Sequence, residues 1–254
     1  NLDIAERRLP MDGRFSVKAR DRDIDVRMST LPGQYGESIV LRLLDQSGAV
    51  RNLDAIGMPP DMVVRLKEIL NSGSGMVLVT GPTGSGKTTT LYAALGALNT
   101  ADKKIITVED PVEDRISRIN QVQIKPKIGL TFASVLRTTL RQDPDVIMVG
   151  EMRDQETAEI GLRAAMTGHF VLSTLHTNDA VSTALRLIDM GAESYLVASA
   201  LRAVVAQRLV RKICEKCIEP YHIDEHHKVW LRAVVGERAN SIQLKHGKGC
   251  AQCN

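Results

Sequence analysis

The stretch Gly81-Pro82-Thr83-Gly84-Ser85-Gly86-Lys87-Thr88 constrains this chain more than any other. It satisfies the pattern G-x-x-x-x-G-K-[ST], with the apolar run 76–80 before it and a helical pattern over 88–98 after it. Such a loop needs a strand to launch it, glycines that let the backbone turn its N–H groups inward, and a helix whose positive N-terminal end faces the same point. Its ligand is a phosphate group. Lys87 would reach the β- and γ-phosphates, the Thr88 hydroxyl suits Mg²⁺, and Thr89 completes the candidate nucleotide-binding set 81–89. The plain alternative is a glycine-rich turn. With glycine near 7% of residues, chance places this pattern in a chain of such length at about 1%.

The flanking sequence alternates in the manner such a loop requires. Short β-branched or apolar runs at 105–108, 146–149 and 170–174 are separated by helical patterns at 132–141, 156–166 and 180–190, with a further helix over 62–70. Alternation of this kind predicts a mainly parallel sheet covered on both faces, an α/β class. Before it, residues 24–28 alternate apolar and charged, Leu31-Pro32-Gly33 supplies a turn, and 38–44 is a second strand. Two strands make too little for a stable domain. The segment 1–47 is therefore expected to be part of a smaller α+β domain, and the chain, which starts without Met and stops beside a cysteine, part of a longer protein. Residues 48–60 read as a linker and helix start, with Pro60 near N1 and Asp61 in the first turn. The phosphate-binding domain is expected over 61–212 and a separate module over 213–254.

Composition excludes several classes. The 254 residues are 43% hydrophobic and 25% charged, which is ordinary globular material. The apolar runs are strand-length, far short of the roughly 20 residues of a membrane span. A net charge of +3 and 3% aromatic residues argue against direct nucleic-acid binding through phosphate neutralisation or base stacking.

Binding is not hydrolysis, so acid and base groups are needed. Asp145 to Glu151 is an apolar strand ending in a carboxylate, and Ile105 to Asp110 repeats the design with Glu109. Strand C-terminal ends are where an open α/β sheet places its ligand. Either Glu109 or Glu151 could polarise the attacking water, and helix capping is the alternative for each. A third strand ends at His176, which could sense the γ-phosphate or sit hydrogen-bonded in the core. Cys214-x-x-Cys217 and Cys250-x-x-Cys253 are two metal knuckles with 32 residues between them. Four thiolates suit tetrahedral, structural Zn²⁺, and a closed shell leaves His222, His226 and His227 as solvated residues.

Together these blocks resemble the secretion and pilus-assembly ATPases of the GspE/PilB type, in the type II secretion and type IV pilus superfamily, over essentially the whole chain. Arg8 to Arg14 and Val26 to Pro32 resemble the family's N-terminal signatures, 79–89 its Walker A form, Thr107 to Pro111 its Asp box, Arg141 to Asp154 its Walker B segment, and 167–178 its His box. The resemblance implies a RecA-like P-loop core, a PAS-like N-terminal domain and a tetracysteine zinc module that the retraction branch lacks. It implies Mg²⁺ and ATP as ligands, Glu109, Glu151 and His176 as catalytic, and Arg27, Arg42, Arg137 and Arg141 around the nucleotide. Lys18 and Ser38 stand where relatives often carry Arg. It further implies a homohexamer acting on the cytoplasmic portion of an inner-membrane platform protein, itself cytoplasmic and peripheral, in a Gram-negative bacterium. Secretion and pilus extension both fit. A RecA-like nucleic-acid or conjugation-type translocase and a nucleotide-gated module without hydrolysis are the alternatives.

Overall fold

In the computed structural model, which describes residues 5–19, 22–45, 52–221 and 223–253, the apolar runs become the central strands of one sheet. In chain order the elements are β1 (Met11–Ala19), β2 (Arg22–Gly33), β3 (Gly36–Asp45), α1 (Pro60–Leu70), β4 (Gly75–Thr80), α2 (Lys87–Leu98), β5 (Ile105–Glu109), β6 (Asn120–Gln123) and α3 (Phe132–Thr139). They continue with β7 (Val146–Val149), α4 (Gln155–Met166), β8 (Phe170–Leu175), α5 (Ala180–Asp189), α6 (Ser194–Ala200), β9 (Leu201–Ala206), β10 (Ile218–Pro220), α7 (Glu225–Val235) and β11 (Lys245–Gly247). The chain divides into two units, Asn1–Arg208 and Leu209–Asn254. Residues 46 and 47 of the first segment, 48–51 of the expected linker and His222 lie outside the described residues.

Strands β4 to β9 form a six-stranded sheet in the order β6-β5-β7-β8-β4-β9, and every pairing is parallel. Every residue of β4, β5, β7 and β8 is buried, as strands covered on both faces must be. Alternation then divides the core. Leu78, Val108, Ile147 and Val171 pack with Leu136 of α3 and Leu162 of α4. Val77, Val79, Ile105, Met148 and Leu172 pack with Leu66 of α1 and with Leu91 and Leu95 of α2. Helix starts are set locally. Asp154 accepts from the Thr157 amide at 2.8 Å to cap α4, and Asp179 accepts from Ser182 at 2.7 Å to cap α5. The expected α/β architecture with a mainly parallel sheet holds.

The first segment forms an antiparallel sheet in the order β1-β2-β3. The turn expected at 31–33 falls instead at Gln34 and Tyr35, because β2 runs on to Gly33, which pairs with Gly36. Pro32 is tolerated there since the β1 pairing stops at Thr30, leaving Pro32 with a neighbour on one side only. Register sorts the two faces. Phe15, Val26 and Leu43 align on one, and Arg14, Arg27 and Arg42 align on the other.

Leu162 is fully buried on the α4 face. Leu162→Ala is expected to cost about 2–5 kcal/mol, through lost burial and the cavity it leaves, read as a lowered chemical-denaturation midpoint.

Candidate phosphate site and cysteine cluster

The phosphate loop occupies the turn between β4 and α2, at the C-terminal edge of the parallel sheet. Gly84 and Gly86 take φ of 77° and 86°, and Gly86 in that left-handed state is the N-cap of α2. Gly81 is fixed by space as well as by its φ of 148°. A Cβ there would lie 2.4 Å from the Gln207 carbonyl oxygen and 2.6 Å from Ser85 Oγ. Lys87 Nζ donates to the carbonyls of Gly81 (2.9 Å) and Pro82 (3.1 Å). Burial lowers the Lys87 pKa, with Glu151 opposing the shift and Arg208 adding to it. Ser85 Oγ is buried without a partner, while Thr88 and Thr89 are exposed on the first turn of α2. A backbone nest with an ammonium at its base is the donor set a polyphosphate needs. The Thr88 hydroxyl, with the Glu151 carboxylate close enough to act on Lys87, is a hard-oxygen set that suits Mg²⁺.

The strand-end residues separate by environment. Gly150 ends β7 and donates from its amide to the Val108 carbonyl at 2.8 Å. A Cβ there would stand 3.5 Å from the Glu109 Cα. Glu151 follows, with Oε1 at 2.5 Å from Arg153 Nη2 and Oε2 at 3.7 Å from His176 Nε2. The hydrogen bond to Glu151 raises the Arg153 pKa. Glu109 lies elsewhere in chemistry, 3% exposed and enclosed by donors. It accepts from Tyr92 Oη (2.5 Å), Thr107 Oγ1 (2.5 Å) and Gln121 Nε2 (3.2 Å). Burial, and then the bond to Glu109, push the Tyr92 pKa well above its ordinary value, so the phenol stays protonated. Its oxygen also accepts from the Glu113 amide at 3.2 Å.

The structure brings together Lys87, Glu151 and His176, and it places Arg27, Arg137 and Arg141 on other partners. Arg27 Nη2 bonds Glu113 at 2.8 Å. Arg42 stands directly across the strand from Arg27, and both line a cavity of about 430 Å³ with Arg14. Arg137 pairs with Glu156 of α4, and Arg141 Nη1 donates to the Arg137 carbonyl at 3.2 Å. Tyr92, Arg153, Gln207 and Arg208 are the contributors that pattern reading missed. Tyr92 alone carried a local signal, four residues after Thr88 on the same helix face.

The four cysteines converge. All their Sγ atoms lie within 4.8 Å of one another, with Cys214–Cys250 at 4.0 Å and Cys217–Cys253 and Cys250–Cys253 at 3.7 Å. A tetrahedron of Zn–S bonds of about 2.3 Å has S···S edges of about 3.8 Å, so the cluster fits structural zinc. The β10–β11 ladder assembles it by starting directly after Cys217 and ending shortly before Cys250. Their environments differ. A bond from the Gln252 amide draws the Cys250 thiol down to about 7, while burial pushes Cys217 up to about 12. His226 and His227 are exposed, and His227 Nδ1 pairs instead with Asp224, the α7 cap, at 2.8 Å.

Comparison with known proteins places these features. A family model described as "Type II/IV secretion system protein" matches residues 1–254. The type II secretion system protein E of Dickeya dadantii (strain 3937) is 50% identical over 253 residues, covering 100% of this chain and 50% of that protein. The type IV pilus assembly ATPase PilB of Myxococcus xanthus (strain DK1622) is 49% identical over 255 residues, covering 100% of this chain and 45% of its own length. This chain thus spans about half the length of the curated relatives it matches. Among solved structures, that of the pilus retraction motor PilT with bound ADP superposes with a TM-score of 0.69 at 34% identity, over 82% of this chain and 61% of that one.

Tyr92→Phe removes a buried donor to Glu109 and an acceptor for Glu113, and should lower stability by about 1–3 kcal/mol in denaturant titration. The purified protein should carry about one zinc per chain by elemental analysis, and Cys217→Ser should lose it.

Proposed function

The chain belongs to the type II/IV secretion system protein family, and from that premise we propose that it is the catalytic portion of an ATP-hydrolysing ring motor. Its output is type II protein secretion or type IV pilus assembly at the inner membrane of a Gram-negative bacterium. The observation that carries the reading is the glycine-lined loop with Lys87 at its base and the Glu151–His176 pair at neighbouring strand ends.

Chemistry follows from the placement. The loop amides between Gly81 and Thr88 hold the phosphates, and Lys87 exchanges its two carbonyl partners for phosphate oxygens, a stronger charge-assisted contact. Partial burial strips Lys87 of water beforehand, so less must be shed on binding. Thr88 and Glu151 would hold Mg²⁺, which when bound neutralises charge on the phosphates. Glu151 Oε2 faces the side of the site that His176 borders, and from there it takes the proton of the attacking water. Arg153 on Oε1 leaves that second oxygen as the working one. Glu109, which accepts from Thr107 and Gln121 on one oxygen and from Tyr92 on the other, acts as the anchor of the Asp110–Asp114 turn. His176 reports the γ-phosphate to the segment after β8. Arg27, Arg42, Arg137 and Arg141 stabilise charge on the γ-oxygens when N-terminal and ATPase parts close on the nucleotide.

Sites completed by arginines from separate parts suit a closed ring, and a homohexamer is the proposed assembly. Among the described residues no helix is long and apolar enough to cross a membrane. The proposed partner is the cytoplasmic portion of an inner-membrane platform protein. The cysteine cluster is assigned to structural zinc, which ties the residues around β10 and β11 together. Relatives named for secretion and for pilus assembly match equally well, so the shared site is assigned the common chemistry and the partners the difference.

In the full-length protein, Glu151→Gln should still bind ATP while phosphate release falls about 10²–10⁴-fold, and secretion or pilus output should fall with it. Lys87→Ala should lose nucleotide affinity. Unchanged turnover in Glu151→Gln would overturn the assignment.

A further inference from the structure

Three neighbouring strand ends meet at the phosphate loop. β8 runs on to His176, β4 launches the loop, and β9 runs on to Gln207 and Arg208, to which no part of the motif set assigns a role. Gln207 is held in register with β4, its amide donating to the Thr80 carbonyl at 2.8 Å. Its side chain then uses both ends. Nε2 donates to the Ser85 carbonyl at 2.6 Å, and Oε1 accepts from the Thr90 hydroxyl at 2.7 Å. One half-buried amide thereby ties the tip of the phosphate loop to the first turn of α2. Gly81 presses on the same residue, leaving only 2.4 Å between the Gln207 carbonyl oxygen and the place of a Cβ.

Arg208 reaches the other way. Nη2 donates to the Asn178 carbonyl at 2.7 Å, and Nη1 donates to the Gln207 carbonyl at 2.9 Å. Asn178 lies two residues beyond His176. The intervening Thr177 is bonded through its amide to Thr80 Oγ1 at 2.9 Å, next to the start of the loop. The segment carrying His176 is thus pinned from β4 and from β9, and the loop is pinned from β9 through Gln207 at Ser85 and by Lys87 at Gly81 and Pro82.

We propose that Gln207 and Arg208 are a pair of positioning residues for phosphoryl transfer. Gln207 sets the phosphate loop, Arg208 sets the His176 segment, and the peptide between them keeps the two in a fixed relation. The proposal rests on the ATPase reading of this site and extends it to a strand end that carries no recognised motif. It separates binding from chemistry. Without the Gln207 amide, the Ser85 carbonyl and the Thr90 hydroxyl lose partners and the loop amides lose aim, so nucleotide binding is affected first. Without the Arg208 guanidinium the loop keeps its brace while His176 drifts, so the chemical step is affected first.

Steady-state phosphate release by the full-length protein tests this. Gln207→Met, which preserves length and removes both bonds, should raise KM for ATP about tenfold with kcat changed less than about twofold. Thr90→Val should raise KM in the same direction, and the double variant should be less than additive, since both remove one bond. Arg208→Ala should lower kcat about tenfold with KM within about twofold. Arg208→Lys should recover part of the loss, because an ammonium can still donate to the Asn178 carbonyl. If kcat and KM move together in both variants, or only the melting temperature moves, the pair is a structural staple and the proposal fails. If the wild type itself releases no phosphate, the ATPase reading fails and this proposal with it. If the wild type is active and neither variant changes either parameter, this proposal alone fails.

Discussion

Everything at this site depends on the close approach of one backbone to another, where Gly81 meets the carbonyl of Gln207. A phosphate loop binds through main-chain N–H groups, whose directions are set by backbone torsions alone. Such a loop works only if both its ends and its tip are held. Here β4 holds one end, completely buried between β8 and β9, and α2 holds the other with Leu91 and Leu95 in the core. The tip has no sheet or helix bonds of its own, and it is held by a side chain from the strand beside it. Any residue larger than glycine at position 81 would separate these two backbones.

Burial puts the two acidic strand ends in different surroundings. Glu109 ends β5 and Glu151 lies just past β7, two parallel strands that pair with each other, and pattern alone gives the two carboxylates equal standing. Glu109 is enclosed and accepts from a phenol, a hydroxyl and an amide. A buried carboxylate with three donors orients the groups that donate to it. Glu151 keeps one oxygen on Arg153 and turns the other toward an exposed imidazole.

What could be read from the sequence was what is local. The four fully buried strands are short apolar runs with turn residues at both ends, and the loop between β4 and α2 is a contiguous motif. The cysteine pairs were legible for the same reason, because a C-x-x-C turn brings two ligands together by itself. β1 was missed although Phe15 and Val17 alternate with Arg14, Ser16 and Lys18 as a half-buried strand does, and only Gly13 weakens that pattern. β9 is half-buried and borrows its order from β4. The site residues that escaped notice act across long separations. Gln207 reaches Thr90 over 117 positions and Ser85 over 122, and no spacing rule spans such distances.

The arginine row of the N-terminal sheet poses a separate electrostatic problem. Arg14, Arg27 and Arg42 stand directly opposite one another on three adjacent strands. Like charges in that relation destabilise a sheet unless something answers them. The answer comes from the parallel-sheet side, where Glu113 takes Arg27 at 2.8 Å and Gln123 of β6 takes Arg14 at 3.2 Å. Neither contact is deeply buried, and an ion pair of this exposure contributes only about 0–1 kcal/mol. A phosphate oxygen offers a guanidinium a stronger bond than a partly hydrated carboxylate or a neutral amide does. Those contacts are weak enough that, on the reading proposed above, the guanidinium groups can exchange them for phosphate oxygens.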